Sequence, residues 1–189
     1  MIKTNLKNFY IFCGRSGSGK DKVINTLCKK YGFRKVVSYT TRPRRQEEEK
    51  VNTHIFVNQQ GFDSIRGQLI AYTFFNGFEY GGTQEQVEHS DFYTLDVNGI
   101  KYFKEHYTGT KPFKIIYLDV EPEICKVRMF NRGDPPMQVS LRVANDIKAF
   151  KEAPDLADVI IPNDFFDSCV KDVYDYIMKC ENETDGDNT

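Results

Sequence analysis

A glycine-rich loop near the start of the chain has the residues needed to hold phosphate groups. Its GxxxxGK pattern comprises Gly14, Arg15, Ser16, Gly17, Ser18, Gly19 and Lys20. An apolar run precedes the loop and apolar residues at helical spacing follow it, which predicts a strand, a loop and a helix in the order that a phosphate site needs. Glycines let backbone N–H groups turn toward phosphate oxygens, the helix start adds its positive dipole, and the lysine contacts the β- and γ-phosphates. The motif therefore predicts a site for the phosphates of a nucleotide.

The residue after the loop lysine departs from the usual pattern. Asp21 stands where a serine or threonine is common, so the hydroxyl that usually contacts Mg²⁺ is missing. A carboxylate can bind this ion directly or through water. It can also cap the helix and favour the positive end of the helix dipole. The sequence leaves both roles open.

The composition indicates one globular domain that binds small molecules. The chain has 189 residues, with 26 Lys and Arg against 27 Asp and Glu, and a net charge of −1. This balance gives no overall field to attract a nucleic acid polymer or an anionic membrane, so any anion site must be local. No apolar run reaches the about 18 residues of a membrane span, and the five cysteines lack metal-site spacing. We therefore expect a cytoplasmic protein with reduced thiols.

Alternating strand and helix patterns predict an α/β fold. Apolar runs predict strands at residues 9–13, 35–38, 55–57, 70–75, 92–96, 115–118 and 159–161. Helical spacing predicts one helix directly after the loop and others at residues 59–65, 83–89, 99–106, 121–130, 139–151 and 165–180. This alternation favours a parallel sheet with helices on both faces, and we expect five strands in it.

One stretch interrupts the alternation and predicts an inserted lobe. Within residues 38–83, a basic turn is followed by an acidic stretch and by two short strands joined at Asn76-Gly77, a hairpin signal. The core of the single domain is then formed by residues 1–37 and 84–180. Residues 181–189 are acidic, and we expect them to be a disordered tail.

Several motifs resemble those of guanylate kinases and their relatives. The phosphate-binding loop, the stretch SYTTRPRR at residues 38–45 and the later NGFEYGG follow the family's order, and the resemblance extends from about residue 9 to about residue 164. It implies a P-loop NTPase fold with a five-stranded parallel core, an acceptor-binding lobe at 38–83 and an arginine-bearing lid at about 131–140. It also implies ATP as the phosphoryl donor and Mg²⁺ as a cofactor.

The resemblance assigns cationic and hydroxyl side chains to two groups of phosphates. The residues that bind the acceptor phosphate in the family correspond to Ser38, Arg42, Arg45 and Tyr80. Forked guanidinium groups suit this role because they pair bidentately with phosphate oxygens. The arginines that close over the donor phosphates correspond to Arg128, Arg132 and Arg142.

The resemblance also assigns two polar residues at predicted strand ends. Asp96 matches the first acid of the family's LDxD motif, where it would orient an arginine or a Mg²⁺-bound water. Together with Asp21 it is a candidate metal ligand. Asn163 resembles the asparagine of a VND segment beside the adenine of ATP.

The resemblance is weakest at the positions that contact the acceptor. His54 stands where a phosphate-binding tyrosine is expected, and Ala71 stands where a glutamate accepts from guanine N1 and N2. Gly82 replaces a serine or threonine near guanine O6, although Thr83 could reach this place, and Asn98 replaces a second aspartate. These departures predict relaxed or altered base selectivity.

Three functions stay open. The first is ATP-dependent phosphorylation of a nucleoside monophosphate to the diphosphate, with GMP or dGMP as the first expected acceptor. A sugar-phosphate kinase is the second, because Asp21, His54 within THIF and the VNG at 97–99 look more like ribose 1,5-bisphosphate phosphokinases, although the TTRPxR motif does not. The third is a non-catalytic binding module of the guanylate kinase type. Such modules tend to lose the loop lysine and the lid arginines, whereas this chain has Lys20, Arg132 and Arg142.

Overall fold

A parallel four-stranded sheet forms the centre of the fold in the computed structural model, which describes residues 6–44 and 54–183. Its strands are β1 (Phe9–Cys13), β6 (Phe92–Thr94), β7 (Phe113–Asp119) and β8 (Val159–Pro162), in the order β6-β1-β7-β8. The predicted α/β fold with a parallel sheet is confirmed. The predicted strand at 35–38 is reduced to an isolated parallel bridge between Lys35 and Phe92. The chain leaves the sheet at this point, because the backbone oxygen of Ser38 accepts a hydrogen bond from the backbone N–H of Ile55, at the start of a second sheet.

Helices cover both faces of the parallel sheet and create two apolar clusters. One cluster lies under α1 (Lys20–Tyr31) and α8 (Phe166–Asn182), and the other lies under α4 (Val97–His106). Successive residues of β1 alternate between the clusters, since Tyr10 and Phe12 belong to the first and Ile11 and Cys13 to the second. The strand is buried along its whole length, which fixes the position of the loop that follows it.

The inserted lobe is a second, mostly antiparallel sheet. Its strands lie in the order β3-β2-β5-β4. Their bounds are β2 (Tyr39–Thr40), β3 (Ile55–Phe56), β4 (Leu69–Phe75) and β5 (Phe78–Thr83). The helix α2 (Gln59–Ile65) lies between β3 and β4, and α3 (Gln84–Glu88) follows β5. The predicted hairpin is confirmed, because Asn76 and Gly77 both have positive φ angles, 51° and 86°, as its two-residue turn requires.

Two consecutive helices and a short turn occupy the predicted lid region. These are α5 (Pro122–Asn131) and α6 (Pro136–Ala149), and α7 (Ala153–Leu156) follows them. Apart from the strand at 35–38, every predicted helix and strand is present with its ends displaced by no more than three residues. None of the described helices is both long and apolar enough to cross a membrane.

The end of α8 corrects the predicted start of the acidic tail. The helix continues to Asn182, and the Glu181 carboxylate accepts hydrogen bonds from the Tyr10 hydroxyl at 2.7 Å and from the Asn8 backbone N–H at 3.0 Å. The prediction that the tail begins at residue 181 is therefore wrong. Residues 184–189 lie outside the part of the chain that the structure describes.

Candidate active site

The phosphate-binding loop leaves the buried end of β1 and turns tightly into α1. Gly17 and Gly19 have φ angles of 81° and 86°, which L side chains rarely adopt. A Cβ atom on Gly17 would also lie 2.5 Å from the backbone oxygen of Cys125, and one on Gly19 would lie 2.6 Å from Asn163 Nδ2. Both positions therefore require glycine, and the loop is held closely against α5 and the end of β8.

Side chains behind the loop fix its backbone. Asn163 Nδ2 donates to the backbone oxygen of Ser18 at 2.6 Å, and Arg128 Nη2 donates to the backbone oxygen of Asn163 at 2.6 Å. Arg15 Nη1 points away from the loop, toward Asp119 Oδ1 at 3.0 Å. These contacts place Arg128 and Asn163 as supports of the loop, where the resemblance implied contacts with the donor nucleotide.

The other donor-side cations border a common cavity. Lys20, Arg132 and Arg142 line it, and Lys20 Nζ donates to the backbone oxygen of Arg15 at 3.2 Å. Asp134 holds both lid arginines, because its Oδ2 atom accepts from Arg132 Nη2 at 2.6 Å and from Arg142 Nη1 at 2.9 Å. Each arginine is therefore oriented at the cavity wall by the same carboxylate.

The inserted lobe brings several predicted acceptor-binding residues together on the opposite wall. Ser38 Oγ lies 2.9 Å from His54 Nδ1, and the His54 ring lies 5.7 Å from the ring of Tyr80. The guanidinium of Arg42 lies 5.4 Å from the Phe56 ring, which also holds it in the lobe. All four predicted residues line the same cavity as Lys20. Arg45 lies outside the described residues.

The structure does not place the four predicted base-contacting residues on the cavity wall. Ala71 is completely buried in the apolar cluster under α4, and Asn98 is exposed on that helix. Thr83 caps α3 with its side chain. Gly82 is buried beside Tyr93, whose hydroxyl would lie 2.4 Å from a Cβ atom at position 82.

The cavity has a volume of about 740 Å³ and extends between the loop, the lobe and the lid. Its donor end contains the loop lysine and the lid arginines, and its acceptor end contains the hydroxyl, imidazole and guanidinium groups of the lobe. This space can hold two phosphate-bearing molecules side by side, with cations around the place where their phosphates meet.

Comparison with known proteins agrees with this geometry. A family model described as guanylate kinase matches residues 6–180. The chain belongs to the guanylate kinase family. It is 26% identical over 176 residues to the guanylate kinase of Polaromonas sp., covering 88% of this chain and 84% of that relative. It is also 26% identical over 180 residues to the guanylate kinase of Pseudoalteromonas translucida, covering 90% and 86% of the two chains.

The fold agrees with a solved guanylate kinase. The crystal structure of guanylate kinase from Anaplasma phagocytophilum superposes with a TM-score of 0.70 and 18% identity, covering 95% of this chain and 88% of that one. At this identity the likeness shows the fold alone. The family match confirms that the chain is a phosphotransferase that binds nucleotides, as its motifs predicted.

The two predicted metal ligands of this kinase line its cavity in different settings. Asp21 is exposed in the first turn of α1, whose N-cap residue is Gly19. Asp96 accepts from the Gly99 backbone N–H at 2.8 Å and from the Thr73 hydroxyl at 2.9 Å, and burial raises the pKa of its carboxyl despite these bonds. Among the described residues, no three His, Cys, Asp or Glu side chains cluster tightly enough to form a metal site alone. Mg²⁺ commonly takes only one or two carboxylates and completes its shell with substrate phosphates and water, which this arrangement fits.

Sequence reasoning missed three residues of the kinase's cavity region. Asp134 pairs with the lid arginines, Tyr93 lines the acceptor end, and Asp146 on α6 accepts from the backbone N–H of Ser16 in the loop. Only Asp146 had a usable signal, because it follows Arg142 by four residues and so shares its face of a predicted helix. The other two give no local pattern from which their contacts could be predicted.

Proposed function

We propose that this kinase transfers the γ-phosphoryl group of ATP to a nucleoside monophosphate, with GMP or dGMP as the first acceptor and with relaxed or altered base selectivity. One observation supports the proposal most directly. A single cavity has Lys20 and the lid arginines at one end and the Ser38, His54, Tyr80 and Arg42 cluster at the other. Donor and acceptor phosphates bound at these ends would meet in the middle.

The reaction needs positioning and charge more than it needs proton transfer. A bond forms between an oxygen of the acceptor phosphate and the γ-phosphorus of ATP, while the bond from that phosphorus to the β,γ-bridging oxygen breaks and ADP leaves. The acceptor phosphate is already a nucleophile, so no general base is required. Lys20, Arg132 and Arg142 stabilise the negative charge of the transferring group, and closure of the lid brings the arginines toward it.

The residues present fit ATP and Mg²⁺. The Ser16 N–H already binds an anionic oxygen, that of Asp146, which supports a loop directed at negative charge. Asp21 and Asp96 are the carboxylates that would hold Mg²⁺, which supplies neutralisation of the donor phosphates when bound. Arg128 and Asn163 act in this proposal through the loop backbone, which they hold in place.

The base-selectivity part of the proposal depends on the residues at the acceptor end. A site that hydrogen-bonds a base edge rejects analogues lacking the partner, because its own polar groups would be left unpaired. Ala71 has no polar side-chain atom and lies away from the cavity. The carboxylate contact with guanine N1 and N2 is therefore missing at this position.

The decisive experiment is an ADP-release screen across ribo- and deoxynucleoside monophosphates and ribose 1,5-bisphosphate. We expect nucleoside monophosphates to be phosphorylated, GMP or dGMP first and others measurably. Lys20→Ala should keep the wild-type unfolding temperature and lose most turnover. Lys29→Ala removes an exposed lysine of the same helix and should leave the rate unchanged. Phosphorylation of the sugar phosphate alone, or full activity of Lys20→Ala, would overturn the proposal.

A further inference from the structure

A threonine of the inserted lobe holds a carboxylate of the core. Thr73 lies on β4 of the lobe sheet, whereas Asp96 follows β6 of the parallel sheet and is the N-cap residue of α4. The Thr73 hydroxyl donates to Asp96 Oδ2 at 2.9 Å, and the Gly99 backbone N–H donates to Asp96 Oδ1 at 2.8 Å. The two carboxylate oxygens are therefore held from different parts of the fold, one by the lobe and the other by α4.

The carboxylate that these bonds orient belongs to the wall of the cavity. Thr73 and Asp96 both line it. Burial raises the pKa of the Asp96 carboxyl, and the positive charge of Lys20 acts in the opposite direction, so the loop lysine is close enough to interact with this carboxyl. A carboxylate oxygen has two lone pairs, so each Asp96 oxygen can accept one further bond. Asp96 can thus act on a ligand at the donor end while Thr73 and Gly99 hold it.

Thr73 also has a direct neighbour among the acceptor-binding residues. In the antiparallel pairing of β4 and β5, Thr73 lies opposite Tyr80. Side chains at directly opposite positions extend from the same face of a sheet, with Cβ atoms about 4.5–5.5 Å apart. Tyr80 lines the cavity too, and its ring lies 5.7 Å from the ring of His54. A ligand bound by Tyr80 and His54 would therefore hold the strand pair that carries the Thr73 hydroxyl.

The bond between Thr73 and Asp96 requires one relative position of the two sheets. A side-chain hydrogen bond is lost beyond about 3.5 Å, so a displacement of the lobe by less than about 1 Å breaks this one. Asp96 then keeps only its bond to α4, and the other carboxylate oxygen is no longer fixed. A ligand that holds the lobe in place therefore favours the present orientation of Asp96. By linkage, a ligand that uses this orientation favours the same position of the lobe.

We propose that Thr73 is a positioning residue that couples acceptor binding in the lobe to the orientation of Asp96 at the donor phosphates. This inference rests on the proposed function, in which Tyr80 binds the acceptor phosphate and Asp96 helps to hold Mg²⁺. The acceptor nucleotide keeps β4 and β5 in place, and the Thr73 hydroxyl passes this constraint to the carboxylate. Donor binding is then tightest when an acceptor is present.

Calorimetric titration of a donor analogue measures this coupling without turnover. The probe is the β,γ-imido analogue of ATP with Mg²⁺, titrated with and without saturating GMP, or the best acceptor found in the screen. In the wild type we expect the acceptor to tighten binding of the probe about fivefold or more. Thr73→Val removes the hydroxyl and keeps the shape, so this factor should fall below about twofold, with less than about twofold change in the Kd of the acceptor alone. Thr73→Ser keeps the hydroxyl and should restore most of the coupling.

A double-mutant cycle with Asp96→Asn separates positioning from a packing role. The asparagine can still cap α4 but lacks the charge. Thr73→Val should lower kcat about three- to tenfold in the wild type, and less than about twofold in the Asp96→Asn background, because it acts through that carboxylate. Thr73→Ala removes the same hydroxyl and gives the same comparison if Thr73→Val folds poorly. Thr26→Val removes a hydroxyl that donates within α1, outside the cavity lining, and should change none of these values.

The outcomes distinguish this inference from the proposed function. A wild-type protein that phosphorylates no nucleoside monophosphate overturns both. If the wild type is active but its acceptor does not tighten binding of the probe, or if the coupling survives in Thr73→Val and Thr73→Ala, only the inference is overturned. Equal losses of kcat in the wild-type and Asp96→Asn backgrounds would also overturn it, because Thr73 would then act by stabilising the lobe rather than through Asp96.

Discussion

The backbone N–H of Ser16 donates a hydrogen bond of 2.6 Å to the carboxylate of Asp146. Asp146 is 2% exposed, and its Oδ1 atom has no hydrogen-bond partner among the described residues. Burial raises the pKa of its carboxyl, while the bond from Ser16 and the charges of Lys20 and Arg142 act in the opposite direction. A buried negative charge thus uses an N–H group of the loop that a donor phosphate would need.

Asp146→Asn should therefore increase the affinity for ATP. Removing the charge ends its repulsion of the donor phosphates, and we expect the KM for ATP to fall about two- to tenfold. Steady-state kinetics at saturating acceptor would measure the effect. Asp172→Asn neutralises an exposed aspartate on α8 and should leave this KM unchanged. A KM that stays constant or rises in Asp146→Asn would show that the carboxylate supports the loop rather than competing with phosphate.

The same carboxyl should make stability depend on pH. Its folded-state pKa is raised above the ordinary 3.8, so the folded protein binds more protons than the unfolded chain between the two values. Its contribution to the free energy of unfolding is then present at low pH and is lost as pH rises through the folded pKa. In urea unfolding from pH 4 to pH 8, we expect the free energy of unfolding of Asp146→Asn to increase relative to that of the wild type as pH rises. Parallel pH profiles would contradict this account.

The contrast between Lys20 and Asp146 shows which parts of the site a sequence can predict. Lys20 belongs to a contiguous motif in which strand, loop and helix are encoded locally, so its place and its chemistry were both predictable. The contact between Asp146 and Ser16 joins residues 130 positions apart. It depends on how α6 packs over the loop, which periodicity does not give. The spacing of Asp146 from Arg142 predicts a shared helix face, but an aspartate on a helix is usually solvated, so the sequence does not predict that this face is buried against the loop.

The predicted location of the base-contacting residues differs from the structure for a related reason. Ala71 and Gly82 were placed in the acceptor pocket by their correspondence to single family positions. The structure instead buries Ala71 in the same apolar cluster as Tyr93, and the Tyr93 ring occupies the space beside Gly82. A large side chain on one strand therefore decided what its neighbours could contact. The order of the elements was predictable because hydrophobic periodicity encodes it. Which side chain fills the space between two neighbouring strands depends on tertiary packing, which periodicity does not encode.

Asp134 should act as a positioning residue for the lid. It orients Arg132 and Arg142 together, with bonds of 2.6 and 2.9 Å. Asp134→Asn weakens this orientation, and because the arginines act on the transferring group, we expect kcat to fall about three- to tenfold with little change in either KM. Asp134→Glu should recover part of the loss. An increase in kcat would show instead that the carboxylate holds the arginines away from the phosphates.

Asp21→Thr should change the Mg²⁺ dependence of the rate. Asp21 lines the cavity, and the N-cap of α1 is Gly19 rather than Asp21, which favours a metal role over a capping role. We expect a shifted half-saturating Mg²⁺ concentration and a stability loss of only about 0.3–1 kcal/mol from the helix dipole. Asp167→Thr changes the acidic residue in the first turn of α8 and should cost similar stability without affecting the Mg²⁺ titration. An unchanged titration in Asp21→Thr would leave only the helix-dipole role.

Glu181 should anchor the last helix to the first strand. Its carboxylate accepts from the Asn8 backbone and side chain at 3.0 Å each, from the Tyr10 hydroxyl at 2.7 Å and from the Lys7 backbone N–H. Burial alone would raise the pKa of this carboxyl, but the hydrogen bonds together lower it below its ordinary value of 4.5. The stabilisation is therefore present above pH 4.5 and is lost as pH falls through the lower folded pKa.

Glu181→Gln should lower the free energy of unfolding by about 1–3 kcal/mol at pH 7, because an amide replaces an acceptor of several donors. The difference from the wild type should shrink as the pH falls below 4.5, where the unfolded chain takes up the proton, and should disappear below the lower folded pKa, where the folded carboxyl is protonated too. Glu183→Gln, at an exposed position at the end of the same helix, should be as stable as the wild type. The KM for ATP should not change in Glu181→Gln, because Tyr10 lies near the start of β1 and the phosphate-binding loop follows its other end. A loss of ATP affinity without a loss of stability would mean that this contact acts on the loop through β1 rather than as an anchor.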